Sequence, residues 1–185
     1  MKVLIIDNGT KHLRRLKDLL AGNELKIHPL FQKYPLSENY DLIVLSGGSR
    51  IAIVNAPEIF KEEINLVKYS TKPIIGICEG CEMIAYTFGS KLEFNESKAK
   101  GIKRIEIVEK GYFDFKVPIE VYEAHQWVIK ELGKDLVGIA KSAYGWEIIK
   151  HKIKPIYGFQ FHPEMLIDST LGNEIFEQIV DKVIR

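Results

Sequence analysis

The chain has 185 residues, close to one ordinary domain, and its 46% hydrophobic and 28% charged residues are the balance of a sequence that folds around a core of its own. Twenty-six Lys and Arg against twenty-five Asp and Glu leave a net charge of +1, which excludes a whole-protein field that gathers nucleic acid or an anionic membrane. With no run of eighteen uncharged apolar residues, a charge already at Asp7, and Cys78 and Cys81 too close to staple a fold, the expectation is a cytoplasmic protein with no membrane or nucleic-acid partner.

Residues 3–6 read as an apolar strand, Asp7-Asn8-Gly9-Thr10 as a turn, and Leu13, Leu16 and Leu20 as one face of a helix. A second strand is expected at 25–30 and a third at 42–45, the latter apolar on both faces as a strand covered by two helix layers must be. It ends at Ser46-Gly47-Gly48-Ser49. Pro57 is placed to open a helix carrying Phe60, Ile64 and Val67, and Pro73-Ile74-Ile75-Gly76-Ile77 is another doubly buried strand, running straight into Cys78. A helix over 83–88 follows, stopped by Gly89. From 91 to 162 the pattern is strand-rich, with strands expected at 102–108, 117–121, 137–140, 145–149 and 156–161. A last amphipathic helix uses Leu171, Ile175, Phe176, Ile179 and Val183. Alternating strands and helices predict an α/β fold: a three-layer, mostly parallel open sheet with helices on both faces and added antiparallel strands, in one domain over residues 1–185.

Gly76-Ile77-Cys78-Glu79-Gly80, between a buried strand and a helix, has the spacing of a nucleophile elbow with Cys in place of Ser. Glycines flank the nucleophile because the turn is sharp and a Cβ there collides with backbone. The thiol then projects above the carboxyl end of the sheet, at a helix N-terminus that favours thiolate. Glu79 and Glu82 oppose that effect, so a basic partner is needed. An inert core cysteine and a redox pair Cys78-Glu79-Gly80-Cys81 are the competing readings. Two thiols are only half a zinc site, and no metal site is expected.

The partner is sought in Phe159-Gln160-Phe161-His162-Pro163-Glu164, at the end of the last strand. There His162 is placed to take the thiol proton, Glu164 to hold the imidazole tautomer, and Pro163 to fix the directions in which both leave the chain. The glycines of Ser46-Gly47-Gly48-Ser49 expose backbone N–H groups; those of Gly48 and Glu79 are the candidates for an oxyanion hole.

These residues resemble the class I, triad-type glutamine amidotransferases, whose fold is flavodoxin-like. The similarity runs from Asp7-Asn8-Gly9 through the glycine loop and the elbow to Pro155-Ile156-Tyr157-Gly158 and the histidine motif. Within the family the chain is most similar to separate glutaminase subunits of archaeal two-subunit GMP synthetases, by its Asp-Asn-Gly opening, its length and the tail from Leu171 to Phe176. The resemblance implies that glutamine is the substrate, that Cys78 carries a γ-glutamyl thioester, and that ammonia passes to an ATP-dependent synthetase subunit of the GMP synthetase type that amidates xanthosine monophosphate. No G-x-x-x-x-G-K-[ST] occurs, so no cofactor is expected in this chain, and ATP and Mg are implied for the partner alone. Gly47, Glu82, His125, Gln126 and Trp127 fall where the family contacts substrate, the last three in an expected loop, Glu123 to Trp127. The sequence departs from the family pattern at Glu82, where Gln is usual, at Ser49, where Pro is usual, and in that loop, which lacks the usual aspartate. A stand-alone thiol hydrolase of the γ-glutamyl type and a catalytically silent regulatory or binding module remain alternative readings.

Overall fold

Four short strands whose residues are apolar at nearly every position form the middle of the sheet. In the computed structural model, which describes residues 1–29, 39–48, 51–109, 111–113, 115 and 118–184, these are β1 (Lys2–Asp7), β3 (Leu42–Leu45), β4 (Ile74–Ile77) and β9 (Ile156–Phe159). β3 and β4 are buried at all of their positions, the pattern of strands covered on both faces. With β2 (Glu24–Pro29) on the outside, they pair in parallel in the order β2-β1-β3-β4-β9. Leu30, Ser49 and Val117, expected from the sequence in a strand, a loop and a strand, lie outside the described residues.

Alternate residues of these strands feed two cores. Val3, Ile5, Val44, Ile75 and Ile77 pack with Leu16 of α1 (Leu13–Leu19) and with Ile175, Phe176 and Ile179 of α4 (Gly172–Ile184). Leu4, Ile6, Ile43, Leu45 and Ile74 face the other way, onto Val67 of α2 (Lys61–Tyr69) and Met83 and Ile84 of α3 (Glu79–Thr87). Two helices therefore cover each face of the parallel strands. α2 begins at Lys61 because residues 57–60 form turns before it, and α3 begins directly after Cys78, four residues earlier than the apolar run at 83–88 suggests. The polar residues Glu79 and Glu82 hid that first turn from a reading based on periodicity.

Beyond β9 the sheet continues antiparallel through β8 (Trp146–His151) and β7 (Leu136–Lys141) to a long ribbon, β5 (Lys91–Ile107) and β6 (Ile119–Glu131). A register shift between Phe94 and Ala99 bends the ribbon. Two backbone bonds hook β6 onto the segment after β9: His162 N–H donates to Tyr122 O (2.8 Å) and Leu171 N–H to Glu120 O (2.9 Å). The ribbon thereby carries residues 123–127 toward the carboxyl ends of the parallel strands. Those residues are strand, not the loop expected from the family pattern: Ile119, Val121, Glu123 and His125 alternate as the buried face of β6, with Gln126 and Trp127 partly exposed. Among the described residues no helix is long and apolar enough to cross a membrane.

Candidate active site

The turn from β4 to α3 is held open by absent side chains. A Cβ on Gly76 would stand 2.3 Å from Gly80 O, and one on Gly80 would stand 2.4 Å from Leu45 O, so the crossing of α3 over β3 and β4 requires both glycines. Between them Cys78 has φ 52° and ψ −107°, a conformation a side-chain-bearing residue avoids at a cost of about 1–3 kcal/mol. Its N–H donates to Phe159 O (2.7 Å) and its C=O accepts from Glu82 N–H (3.0 Å), which fix the residue in that state. The strain lifts the thiol above the sheet, and the Glu79 N–H points at it.

His162 lies three residues past β9 and is 5% exposed. Its Nδ1 is 2.8 Å from Glu164 Oε1, so Nδ1–H donates to the carboxylate and Nε2 keeps its lone pair. A Cβ on Gly47 would touch His162 Cε1 at 3.2 Å and Cys78 Cβ at 3.5 Å; the bare Gly47 is what lets the imidazole and the cysteine flank one point. His12 meets the His162 ring edge-on at 5.4 Å between centroids.

Acids surround this centre. Burial, then Glu82, Glu79 and Glu164, push the Cys78 thiol well above its ordinary value, against the Glu79 N–H that favours the thiolate. Burial, with Glu82 and Glu63 beside it, pushes the Glu79 carboxyl up to about 8, and burial pushes Glu82 up to about 7 although the Gln160 amide donates to it at 2.9 Å. Near neutral pH Glu79 therefore holds its proton and adds no negative charge next to the oxyanion-hole candidates. Its carboxyl rests against Gly48, where a Cβ would lie 1.5 Å from Oε2: Gly48 is needed for this contact as well as for the exposed N–H foreseen from sequence.

A cleft of about 370 Å³ opens over the thiol. Gly48, Cys78, Glu79 and Glu82 line one wall; Phe94, Gln126 and Trp127 from the ribbon line the other, with Lys11 and Lys98 as cations at its edge. His125 also borders the cleft, but both ring nitrogens are turned into the protein, Nδ1 to Trp127 O (2.8 Å) and Nε2 toward Glu123 (3.4 Å). Burial pulls the His125 imidazole down, and Glu123, Glu147 and Glu82 together outweigh it and leave it raised.

The structure thus brings Gly47, Gly48, Cys78, Glu79, Glu82, His162 and Glu164 to one end of the parallel strands, with Gln126 and Trp127 across the cleft. The two cysteines do not form a working dithiol: Cys78 belongs to one core and Cys81 to the core on the opposite face, seated on Gly158, whose Cβ would stand 2.6 Å from Cys81 Sγ. Sequence reasoning passed over the supports. Asn8 donates from Nδ2 to Glu63 Oε1 (3.0 Å) and to Ser46 O (3.2 Å), and its Oδ1 accepts from none of the described donors; its own N–H donates to Ser46 Oγ (2.9 Å), tying β1, α2 and the glycine loop together. Gln160 holds Glu82 from behind. A glutamate on the apolar stripe of α2, with Phe60, Ile64 and Val67, was the signal for Glu63.

The structure sets a strained cysteine on a strand-to-helix turn, and a histidine bonded to a glutamate, on either side of Gly47 at the end of an open α/β sheet. The family model for class-I glutamine amidotransferases matches residues 4–183, and the chain belongs to that family. It is 34% identical over 175 residues to a glutamine-hydrolyzing GMP synthase subunit of Pyrococcus abyssi, covering 88% of this chain and 89% of the relative. It is 31% identical over 185 residues to the protein of the same description from Methanocaldococcus jannaschii, covering 95% and 94%. Among solved structures, a Thermoplasma acidophilum protein provisionally assigned as a GMP synthase subunit superposes with a TM-score of 0.84 at 28% identity, over 98% of this chain and 92% of that one.

Proposed function

We propose that this chain hydrolyses glutamine to glutamate and ammonia and hands the ammonia to a separate ATP-dependent synthetase that converts xanthosine monophosphate to GMP. The observation that carries the proposal is the strained Cys78 set beside a His162 whose Nδ1–H is held by Glu164. The description of the relatives as glutamine-hydrolyzing subunits of GMP synthase supports the substrate and the division of labour.

In this reading His162 Nε2 takes the proton of Cys78 and the thiolate attacks the side-chain carbonyl carbon of glutamine. The oxyanion is received by the N–H groups of Glu79 and Gly48, and the Glu79 N–H already faces the sulfur. His162 returns the proton to the departing nitrogen, which leaves as ammonia. Water, deprotonated by the same nitrogen of His162, then cleaves the thioester, releasing glutamate and restoring the thiol. Gln126, Trp127 and Glu82 hold the amino-acid end, Glu82 through attraction to its α-ammonium. That positive charge also offsets the acids that keep the resting thiol protonated. ATP and Mg act on the synthetase, and the open mouth of the cleft is where it docks.

The test is exposure of the chain to a diazo-ketone analogue of glutamine, with and without the synthetase partner and with excess glutamine as competitor, followed by peptide mapping. A covalent adduct on Cys78 that glutamine suppresses is expected. Iodoacetamide reaching Cys78 while the analogue fails in every condition would overturn the reading.

A further inference from the structure

Glu123 and His125 stand two residues apart on the buried face of β6, where Ile119 and Val121 precede them, and Glu147 approaches from β8. All three side chains are sealed from solvent: Glu123 and Glu147 are 0% exposed and His125 is 4% exposed. One ligand-type atom from each lies within 4.8 Å of the others. No lysine or arginine pairs with either carboxylate among the described residues.

The outer partners of this trio decide what its inner face offers. His125 Nδ1–H donates to Trp127 O, which leaves Nε2 as the ring atom turned toward Glu123. Ser142 Oγ–H donates to Glu147 Oε1 at 2.7 Å, which orients that carboxylate and leaves Oε2 without a hydrogen-bond partner. Both oxygens of Glu123 and the Nε2 of His125 are likewise without a hydrogen bond. His125 Nε2 faces Glu123 Oε2 at 3.4 Å and Glu147 Oε2 has no hydrogen-bond partner, so ligand atoms of three residues on two strands converge on one dry point where a metal ion can take the place of the protons that otherwise bridge them.

The geometry points to a binding site for one divalent transition-metal ion, zinc first, held by Glu123, His125 and Glu147. The 3.4 Å between His125 Nε2 and Glu123 Oε2 is the edge of a tetrahedron with bonds of about 2.1 Å, the length zinc takes to imidazole and carboxylate. Glu147 Oε2 completes a third corner by a side-chain rotation. Two carboxylates and a neutral imidazole balance a 2+ ion. The imidazole and the small ligand number favour zinc over calcium, magnesium or manganese, which want more oxygens and water. The ion would clamp β6 to β8 and so set the ribbon wall of the cleft, a role independent of the chemistry at Cys78. Positions 123, 125 and 147 hold no spacing that a linear motif search recognises.

The test uses the full chain carrying Cys78→Ala, so that the active-site thiol takes up no metal. After chelation and dialysis, it is titrated with Zn²⁺ by calorimetry and by elemental analysis, and separately with Co²⁺. One zinc per chain is expected, with Tm raised by about 5 °C or more at a hundredfold excess over Kd. Cobalt should give visible d–d bands of a tetrahedral N/O site. Glu147→Gln and His125→Gln in the same background should each lose the zinc. Absence of zinc uptake with an unmoved Tm would overturn the inference, as would full zinc binding by both variants; if a variant fails to fold, the titration of the parent chain decides alone.

Discussion

Two histidines of this protein are buried alike, His162 at 5% and His125 at 4% exposure, and each has one ring nitrogen tied by a hydrogen bond of 2.8 Å. They differ in where the acid sits. At the end of the parallel strands Glu164 holds Nδ1 of His162 from behind and, among the described residues, leaves Nε2 without a carboxylate in front of it. On the antiparallel ribbon a backbone carbonyl holds Nδ1 of His125, and the acids lie in front of Nε2. The first arrangement suits the proton transfer proposed at Cys78; the second suits the metal ion proposed on the ribbon. Burial and residue type are the same in both regions, so placement of one carboxylate relative to the ring separates the proposed base from the proposed ligand.

Removing the thiol or the base breaks the comparison most directly. Cys78→Ala and His162→Ala are each expected to lower kcat for glutamine hydrolysis by about 10⁴-fold or more, since groups of one nucleophilic unit each cost nearly the whole effect. His125→Gln, by contrast, should cost about tenfold or less, because neither of its ring nitrogens faces the cleft. Steady-state assays of glutamate release by the assembled complex check all three; equal losses at His125 and His162 would erase the distinction drawn between them.

The next effect in size isolates the carboxylate. Glu164→Gln keeps the shape and removes the charge behind His162, and the amide nitrogen can present a donor where the ring needs an acceptor. A fall of about 10²–10⁴-fold in kcat with KM little changed is expected, the pattern of a residue that acts through another. A rise in KM with kcat intact would place Glu164 in substrate binding instead.

The turn at Cys78 and the His162–Glu164 bond were legible in the sequence because each is local. Cys78 sits between glycines two residues away on each side, and His162 and Glu164 are two residues apart, so local spacing fixes each group, while the pairing of β4 with β9 brings the two groups together. Gly47 and Gly48 were legible as a loop, but the contacts that require them, His162 on one and Glu79 on the other, come from residues 115 and 31 positions away and could not be read. The ribbon side was not legible: Glu123 and Glu147 acquire meaning only when β6 and β8 meet. An alternating strand with glutamate on its buried face was the signal on offer, and the expectation of a loop at 123–127 masked the alternation.

Around Cys78 the buried acids make stability depend on pH in an unusual direction. Glu79 titrates near 8 and Glu82 near 7 in the folded chain, against about 4.5 when unfolded. Between those values the folded state binds more protons than the unfolded one, so stability is highest at or below pH 4.5 as far as these groups go, and falls as pH rises to 8. From pH 6 to pH 9 the Tm should drop by about 5 °C or more, at roughly 2–4 °C per kcal/mol for a chain of this size. Glu79→Gln, which keeps the contact with Gly48, should flatten that slope. A wild-type Tm that rises toward pH 9 would contradict the placement of these protons.

The smallest effect bears on how the acids restrain the thiol. After burial, Glu82 is the largest cause of the raised Cys78 thiol, and Glu82 itself changes charge near 7. At pH 8 it is mostly ionised and opposes the thiolate; at pH 6 it is mostly neutral and does not. Glu82→Gln should therefore speed iodoacetamide alkylation of Cys78 by about threefold to tenfold at pH 8, as the thiolate fraction follows the thiol's pKa, and by little at pH 6. The substituted amide has a partner ready, because Gln160 Oε1 is buried without a hydrogen bond and a Gln at 82 can donate to it. The ratio of variant to wild-type rates at the two pH values separates charge from shape. A ratio that is the same at both would mean that Glu82 acts by shape and not by charge, and that the acid wall of the cleft does not hold the thiol in its protonated form.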